Sequence, residues 1–389
     1  MSNELDTGFA HGMGVEPALR DWQTITLTEA EQVIDRYPQL GKLHKLSWHS
    51  PRPFSSAAIA VTDGGAVFIK RHHVSVRDVQ GMLEEHHLIQ HLHAHGAAVH
   101  PVWADVNGQT AHAIGQWTYE LQPLAVGEDW YRDDVSWTPF HQVSHAFEAG
   151  RALASLHLAA EGYDAPARQP RPLISSFGIF ASIDPAARLD RYIAQRPALA
   201  RYLNGRSWQQ DILLPLFPFH RQLYPLLSSL PPLWTHNDLH GSNMLWSGSG
   251  SDVRVTAILD FGLADRTNAM YDLATTIERN TIEWLRMDHP GDNGIVHHQQ
   301  LDALLQGYHE VRPLSEAERK ALPLMLPLVH AEYALSEIDY FEGIVHSQQN
   351  ADLAYEEFLL GHAHWFHHQD GRDVLDYIHA SLQKLPISH

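Results

Sequence analysis

Residues 234–262 read WTHNDLHGSNMLWSGSGSDVRVTAILDFG. Two short patterns stand in this stretch: His236-Asn237-Asp238-Leu239-His240-Gly241-Ser242-Asn243 near its start, and Asp260-Phe261-Gly262 at its end. Between them, Ser and Gly at 247–251 separate two apolar runs, 243–246 and 253–259, which predicts a β-hairpin. Such a hairpin carries Asn243 and Asp260 back to one place. Phosphoryl transfer has a use for that arrangement. It needs a carboxylate to orient a hydroxyl nucleophile and accept its proton, and oxygen ligands for the Mg²⁺ ions that bridge phosphates. In H-x-D-L-x-x-x-N followed by D-F-G, Asp238 fits the first role and Asn243 and Asp260 the second. Each residue alone is what a turn cap or a strand end uses. The ordered set, with Leu239 and the hairpin inside it, is what points to chemistry.

The rest of the composition narrows the classes. The chain has 389 residues, enough for one large domain or two lobes, with 44% hydrophobic and 19% charged residues, as in ordinary globular proteins. It has no Cys, which excludes disulfides and thiolate metal sites. It shows no apolar run long enough to span a membrane and no signal-peptide layout at its start, so a cytoplasmic location with no membrane partner is expected. The formal net charge of −19 argues against a nucleic-acid partner. Neither G-x-x-x-x-G-K-[ST] nor G-x-G-x-x-G occurs, nor do G-x-S-x-G and H-E-x-x-H.

Upstream of the central stretch, residues 1–20 read as a loose tail and 28–37 as a helix capped by Thr28 with Glu31 closing a capping box. A strand begins at 43–48. Residues 57–61 and 66–70 alternate around Asp63-Gly64-Gly65, a hairpin signal, and the second run ends Val67-Phe68-Ile69-Lys70. Residues 76–95 are helical in pattern. On that helix Glu85 shares a face with Met82, Ile89 and Leu92, and a carboxylate on an apolar face needs a partner, for which Lys70 is the natural choice. His87, His91 and His95 repeat every four residues, a spacing that can share one metal ion but reads better as a solvated face. Strands follow at 99–105 and 110–122. Downstream the pattern turns helical: 140–158, 184–203, 207–228, 271–286, 323–345 and 351–384, the last with a His-rich middle at 362–368 that shows no metal spacing better than chance.

Taken together, these motifs resemble the catalytic core of the aminoglycoside phosphotransferase and choline kinase group of small-molecule kinases, distant relatives of the protein kinases. His236-Asn237-Asp238 departs from the His-Gly-Asp common among the aminoglycoside enzymes and is closer to the choline kinase form. The resemblance covers about residues 28–345, with its specific motifs in 70–96 and 234–274. It implies a two-lobed, protein-kinase-like α+β fold: a tail at 1–27, an N-lobe of antiparallel sheet and one helix at 28–122, and a mostly helical C-lobe at 123–389.

The same resemblance implies site roles. ATP and Mg²⁺ are the expected cofactors. Lys70, paired with Glu85, sits on the nucleotide phosphates, and Ser55 and Ser56 lie in the hairpin loop that covers them. Gln122 and Leu124 belong to the segment 122–126 that joins the lobes and pairs with adenine through its backbone. His240 either contacts the γ-phosphate when protonated or is a plain loop residue. His236 and Asp272 brace the loop, and 150–157 serve packing. Glu278, Arg279, Tyr333 and Glu337 fall on helices that bind acceptors in that group. The expected activity is phosphorylation of a hydroxyl on a small molecule: an aminoglycoside, a choline-like amino alcohol or a related metabolite. The alternatives are a non-catalytic nucleotide-binding relative and a protein Ser/Thr kinase. Glu278, Glu283, Glu332, Glu337 and Asp339, interleaved with Trp284, Tyr333 and Tyr340, suggest a cationic acceptor, while Arg279 suits a carboxylate or phosphate group.

Overall fold

Small and β-branched residues alternate through 56–73, and the chain pairs there as a hairpin. The computed structural model describes residues 9–11, 17–289 and 294–386. Its internal contacts divide the chain into two units, one from residues 1–94 and 99–126, the other from 95–98 and 127–389.

In the first unit, β1 (Phe9–His11) pairs antiparallel with β2 (Pro17–Leu19), inside the region expected to be a loose tail; the remainder of 1–16 lies outside the described residues. Helix α1 (Leu27–Ile34) starts two residues earlier than expected. Two T-x-x-E patterns compete here, and the capping box is built by Thr26 and Glu29, not Thr28 and Glu31. The earlier start places the Glu29 carboxylate on the Tyr119 hydroxyl (3.0 Å) and the Arg71 guanidinium while burying Ala30, Val33 and Ile34.

Five antiparallel strands follow: β3 (Leu43–His49), β4 (Ser56–Thr62), β5 (Gly65–His73), β6 (His112–Ile114) and β7 (Trp117–Pro123), in the order β3-β4-β5-β7-β6. Residues 99–105 form no strand, and the run expected at 110–122 is a hairpin of two strands turning at Gly115. Side chains alternate across the sheet. Val67, Ile69, Tyr119 and Leu121 face the core with Val33, Ile34, Tyr37 and Leu40. The opposite parity on β5 and β7 carries Lys70, His72, Glu120 and Gln122, with Lys70 directly across from Glu120. Helix α2 (Val79–Ala94) contributes Glu85 and His86 as buried polar residues of the same unit.

The second unit is mostly helical. Its helices are α3 (Val143–Ala160), α4 (Pro185–Ala194), α5 (Pro197–Leu203), α6 (Trp208–Leu223), α7 (Ala269–Thr281), α8 (His298–Val311), α9 (Glu316–Met325), α10 (Val329–Tyr340), α11 (Gln348–Leu353), α12 (His362–Trp365) and α13 (Gln369–Lys384). The long helix expected at 323–345 is broken by a 3₁₀ turn at Leu326–Leu328, where Pro327 cannot donate, and ends in a π turn at Phe341–Val345. A second π turn, Ala354–Gly361, runs into α12. Helices α3 and α8 meet backbone to backbone. A Cβ on Gly150 would lie 2.1 Å from the Leu304 carbonyl oxygen, and one on Gly307 2.0 Å from that of Phe147. Two short antiparallel pairs, β8 (Pro232–Thr235) with β11 (Asp265–Asn268) and β9 (Met244–Ser247) with β10 (Arg254–Ile258), frame the central stretch. Among the described residues no helix is long and apolar enough to cross a membrane.

Candidate active site

The loop at 236–243 runs from β8 to β9, and its backbone is held from below. Helix α7 begins with Asn268 as its cap, which brings Asp272, one turn in, beneath the loop. Asp272 is fully buried. Its Oδ2 accepts the backbone N–H of His236 and its Oδ1 that of Asn237, each at 2.8 Å. His157 adds a third contact, Nε2 to Asp272 Oδ2 at 3.0 Å, while its Nδ1 meets the Tyr308 hydroxyl at 2.8 Å. His157 therefore does more than pack: it orients the brace. Burial pushes the Asp272 carboxyl up, but His157, His236 and the backbone N–H together outweigh it and hold the carboxyl below its usual range. Asn280, about two turns further along α7, donates to the Leu239 carbonyl (2.8 Å) and accepts from the Gly241 N–H (3.2 Å). Gly241 leaves no room for a Cβ, which would lie 2.5 Å from the Tyr131 ring.

Asn237 has φ 62, a left-handed conformation that Gly and Asn tolerate and most residues do not. Its side chain is spent on support, donating to the Ser175 carbonyl (2.8 Å) and accepting from the Thr235 hydroxyl (2.7 Å). The His236 ring accepts the Asp238 N–H at Nδ1 (3.2 Å), and its Nε2 meets the Leu259 carbonyl (2.9 Å). That second bond fixes the residue before Asp260.

Asp238 itself is 17% exposed at its side chain. The Asn243 amide donates to its carbonyl (2.8 Å) and to Oδ2 (3.2 Å), which leaves the Asn243 amide oxygen as the atom for a metal. The Arg279 Nε lies 3.4 Å from Asp238 Oδ1, and the His240 Nε2 3.8 Å from Oδ2. Burial raises the Asp238 pKa. Arg279 and His236 oppose that rise, the Asp260 charge adds to it, and the net direction is up. Asp260 is exposed, with φ 60 and its Oδ1 accepting from the Gly262 N–H (3.2 Å). The Leu259 N–H bonds the Asn243 carbonyl (2.9 Å), so the hairpin does bring the two ends together.

In the first unit, Glu85 accepts from the Arg77 Nε at 3.0 Å, and Lys70 is buried, across the sheet from Glu120. The His86 Nε2 contacts Glu120 Oε2 (2.6 Å), and Gln122 donates to Glu120 Oε1 (2.9 Å). Glu85 thus has an arginine partner that residue spacing did not single out. His72 is driven down to about 4 by burial and then by the Lys70 charge. Ser56 is buried, its hydroxyl donating to the Gln23 carbonyl (2.8 Å), so it is occupied within the fold; Ser55 lies half-buried in the loop before β4. Leu124 is 40% exposed just past β7.

Of the five acidic residues expected to line an acceptor site, two gather by Arg279. Glu278 Oε2 is 3.8 Å from the Arg279 Nε. Glu337, buried, has its pKa raised to about 7 by burial, against the lowering influence of His330 and Arg279. The other three are engaged elsewhere. Glu332 accepts the N–H groups of Gly178 (2.9 Å) and Ile179 (2.6 Å), Asp339 accepts that of Leu199 (3.2 Å), and Glu283 pairs with Arg286 and His297. Two of the expected aromatic faces are also taken: Arg279 lies over the Tyr333 ring (4.9 Å), and over the Trp137 ring (5.2 Å) as well, while Trp284 stacks on His362 (3.8 Å). Trp137, at φ 63, carried no motif and is visible only in three dimensions.

The family model described as "Phosphotransferase enzyme family" matches residues 51–314. Among curated relatives, a homoserine kinase of Rhizobium rhizogenes is 28% identical over 189 residues, 49% of this chain and 50% of that protein. One of Caulobacter vibrioides is 29% identical over 184 residues, 47% of this chain and 49% of that protein. The chain spans about half the length of the curated relatives it matches. Among solved structures, a microcompartment-associated aminopropanol kinase has a TM-score of 0.58 at 17% identity, covering 90% of this chain and 100% of that one. An aminoglycoside phosphotransferase from Alicyclobacillus acidocaldarius has a TM-score of 0.51 at 14% identity, covering 94% and 98%. The fold is the two-lobed, protein-kinase-like α+β fold of these neighbours.

Proposed function

The chain belongs to the phosphotransferase enzyme family, and on that premise we propose that it transfers the γ-phosphoryl group of ATP to a hydroxyl of a small amino alcohol. The observation that carries this reading is the placement of Asp238: held by Asn243 and Arg279 on a loop braced by Asp272, with the Glu337 carboxylate among the buried charges around Arg279. Asp238 orients the acceptor hydroxyl and takes its proton. Arg279 limits how far burial raises the pKa of that carboxyl. Asn243 and Asp260 offer hard oxygen donors, the set that suits Mg²⁺, and would hold the divalent ion that neutralises charge on the phosphates. Lys70 is the candidate phosphate contact in the first unit, and the backbone at Gln122 and Leu124 the candidate adenine contact. Glu337 is the candidate partner for a protonated amine on the acceptor. The aromatic faces support that role less than the sequence suggested, because Arg279 covers Tyr333 and His362 stacks on Trp284. The homoserine kinases among the relatives support a small amino-bearing alcohol over an aminoglycoside.

An ADP-release assay across homoserine, aminopropanol, choline, ethanolamine, aminoglycosides and neutral sugars, at low and high salt, tests the reading. Small amino alcohols should turn over best, with a KM that rises with salt. Preference for a neutral sugar with a salt-independent KM would overturn the acceptor class, and tight ATP binding without turnover on any acceptor would overturn the activity.

A further inference from the structure

The oxygen of Glu278 that faces away from Arg279 has no ordinary partner. Glu278 on α7, His330 on α10 and His362 at the start of α12 converge there, and all three are buried. Glu278 Oε1 lies 3.2 Å from the His330 Nδ1 and 3.7 Å from the His362 Nδ1. Glu278 Oε1 and His362 Nδ1 have no hydrogen-bond partner. Buried polar atoms without partners are costly and call for an explanation. A ligand atom from each of the three residues lies within 4.8 Å of the other two. Donors bound to a tetrahedral ion at about 2.0–2.2 Å sit roughly 3.3–3.6 Å from one another, and the two separations to Glu278, 3.2 and 3.7 Å, bracket that range.

We infer that Glu278, His330 and His362 form a binding site for a zinc-class divalent transition metal. Two imidazoles and one carboxylate favour such an ion over Mg²⁺ or Ca²⁺, which prefer oxygen. Three protein ligands leave a fourth position for water or a donor atom of a bound molecule. The His362 ring is seated by Trp284, stacked at 3.8 Å, and it follows directly on the π turn Ala354–Gly361, which sets its direction. Charge permits the ion. Asp238, Glu278 and Glu337 all act on the one Arg279 guanidinium, so when ionised they leave an excess of negative charge. The ion ties α7, α10 and α12 to the carboxylate that flanks Arg279, which is itself the partner of Asp238. Among the described residues this is the one such group of three, and the periodic His87, His91 and His95 are not part of it.

The site does not depend on which acceptor is used, and its test needs none. Tag-free protein is stripped with chelator and titrated with Zn²⁺ against a chromogenic competitor, then loaded with Co²⁺. One tight equivalent, with the visible d–d absorption of Co²⁺ in a low-coordinate N/O site, is expected from the unaltered chain. Glu278→Gln, His330→Gln and His362→Asn should each weaken that equivalent about tenfold or more and remove the Zn²⁺-dependent rise in Tm. His87→Ala with His95→Ala, both exposed, should leave it in place. If the unaltered chain shows only weak binding and the featureless spectrum of surface-bound Co²⁺, the site does not exist; that readout needs no variant to fold. Zn²⁺ affinity in the three variants equal to that of the unaltered chain would overturn it as well.

Discussion

The Nε of Arg279 stands 3.4 Å from Oδ1 of Asp238, and that guanidinium is buried. The pair sets up a contest at the candidate base. Burial favours the protonated carboxyl; the guanidinium favours the carboxylate. Burial wins in direction, and Arg279 limits by how much.

Arg279→Met should therefore raise the Asp238 pKa further. The base works deprotonated, so activity falls as pH drops through that pKa, and the acid limb of the kcat/KM profile should move to higher pH by about one unit or more. Arg279→Lys should restore part of the shift. A limb in the same place in both variants would separate Arg279 from Asp238.

Asp238→Asn keeps the shape and removes the proton acceptor. Turnover should fall by about 10²–10⁴-fold while nucleotide affinity, read by thermal shift with ATP, stays close to that of the unaltered chain. Turnover within about threefold of it would remove Asp238 from the role.

Asp260→Ala acts on the ground state too, because the residue is assigned to the metal that bridges phosphates. Nucleotide affinity should lose its dependence on Mg²⁺ concentration. An unchanged apparent Mg²⁺ affinity would contradict the assignment.

Asp272→Ala leaves the His236 and Asn237 N–H groups and the His157 ring without their acceptor inside the fold. The stability loss should be on the order of 3 kcal/mol or more, read by denaturant unfolding. The folded-state pKa of Asp272 is depressed, so its contribution is fully present above the unfolded value of about 3.9 and is lost as pH falls through the lower folded value. In Asp272→Asn that part of the acid dependence should vanish.

Glu85 receives Arg77 at 3.0 Å and is also the proposed orienter of Lys70. Lys70→Ala and Glu85→Ala should be non-additive in ATP affinity, and Arg77→Ala non-additive with Glu85→Ala in stability. Strict additivity of Lys70 and Glu85 would leave Arg77 as the functional partner of Glu85.

The local order of residues was enough for the central hairpin, for the loop between β8 and β9, and for strands β3, β4 and β5 of the first unit. Those features rest on interactions between neighbours in sequence: turn residues, alternation and a fixed loop length. The same information misplaced the start of α1, because two T-x-x-E patterns are locally equivalent and only the distant Tyr119 and Arg71 choose between them. It offered Lys70 as the partner of Glu85 but not Arg77 or Glu120. Lys70 and Glu120 meet only through the pairing of β5 with β7 across fifty residues of chain. Helical pattern gave five acidic residues the same standing, yet burial and packing send three to backbone N–H groups or surface pairs and leave Glu278 and Glu337 beside Arg279. His330 and His362 have no spacing that reads as a ligand pair, since their convergence on Glu278 depends on how α7, α10 and α12 pack. Motifs are written in separations along the chain, whereas a buried charge finds its partner by distance in space, which the sequence encodes only through the fold.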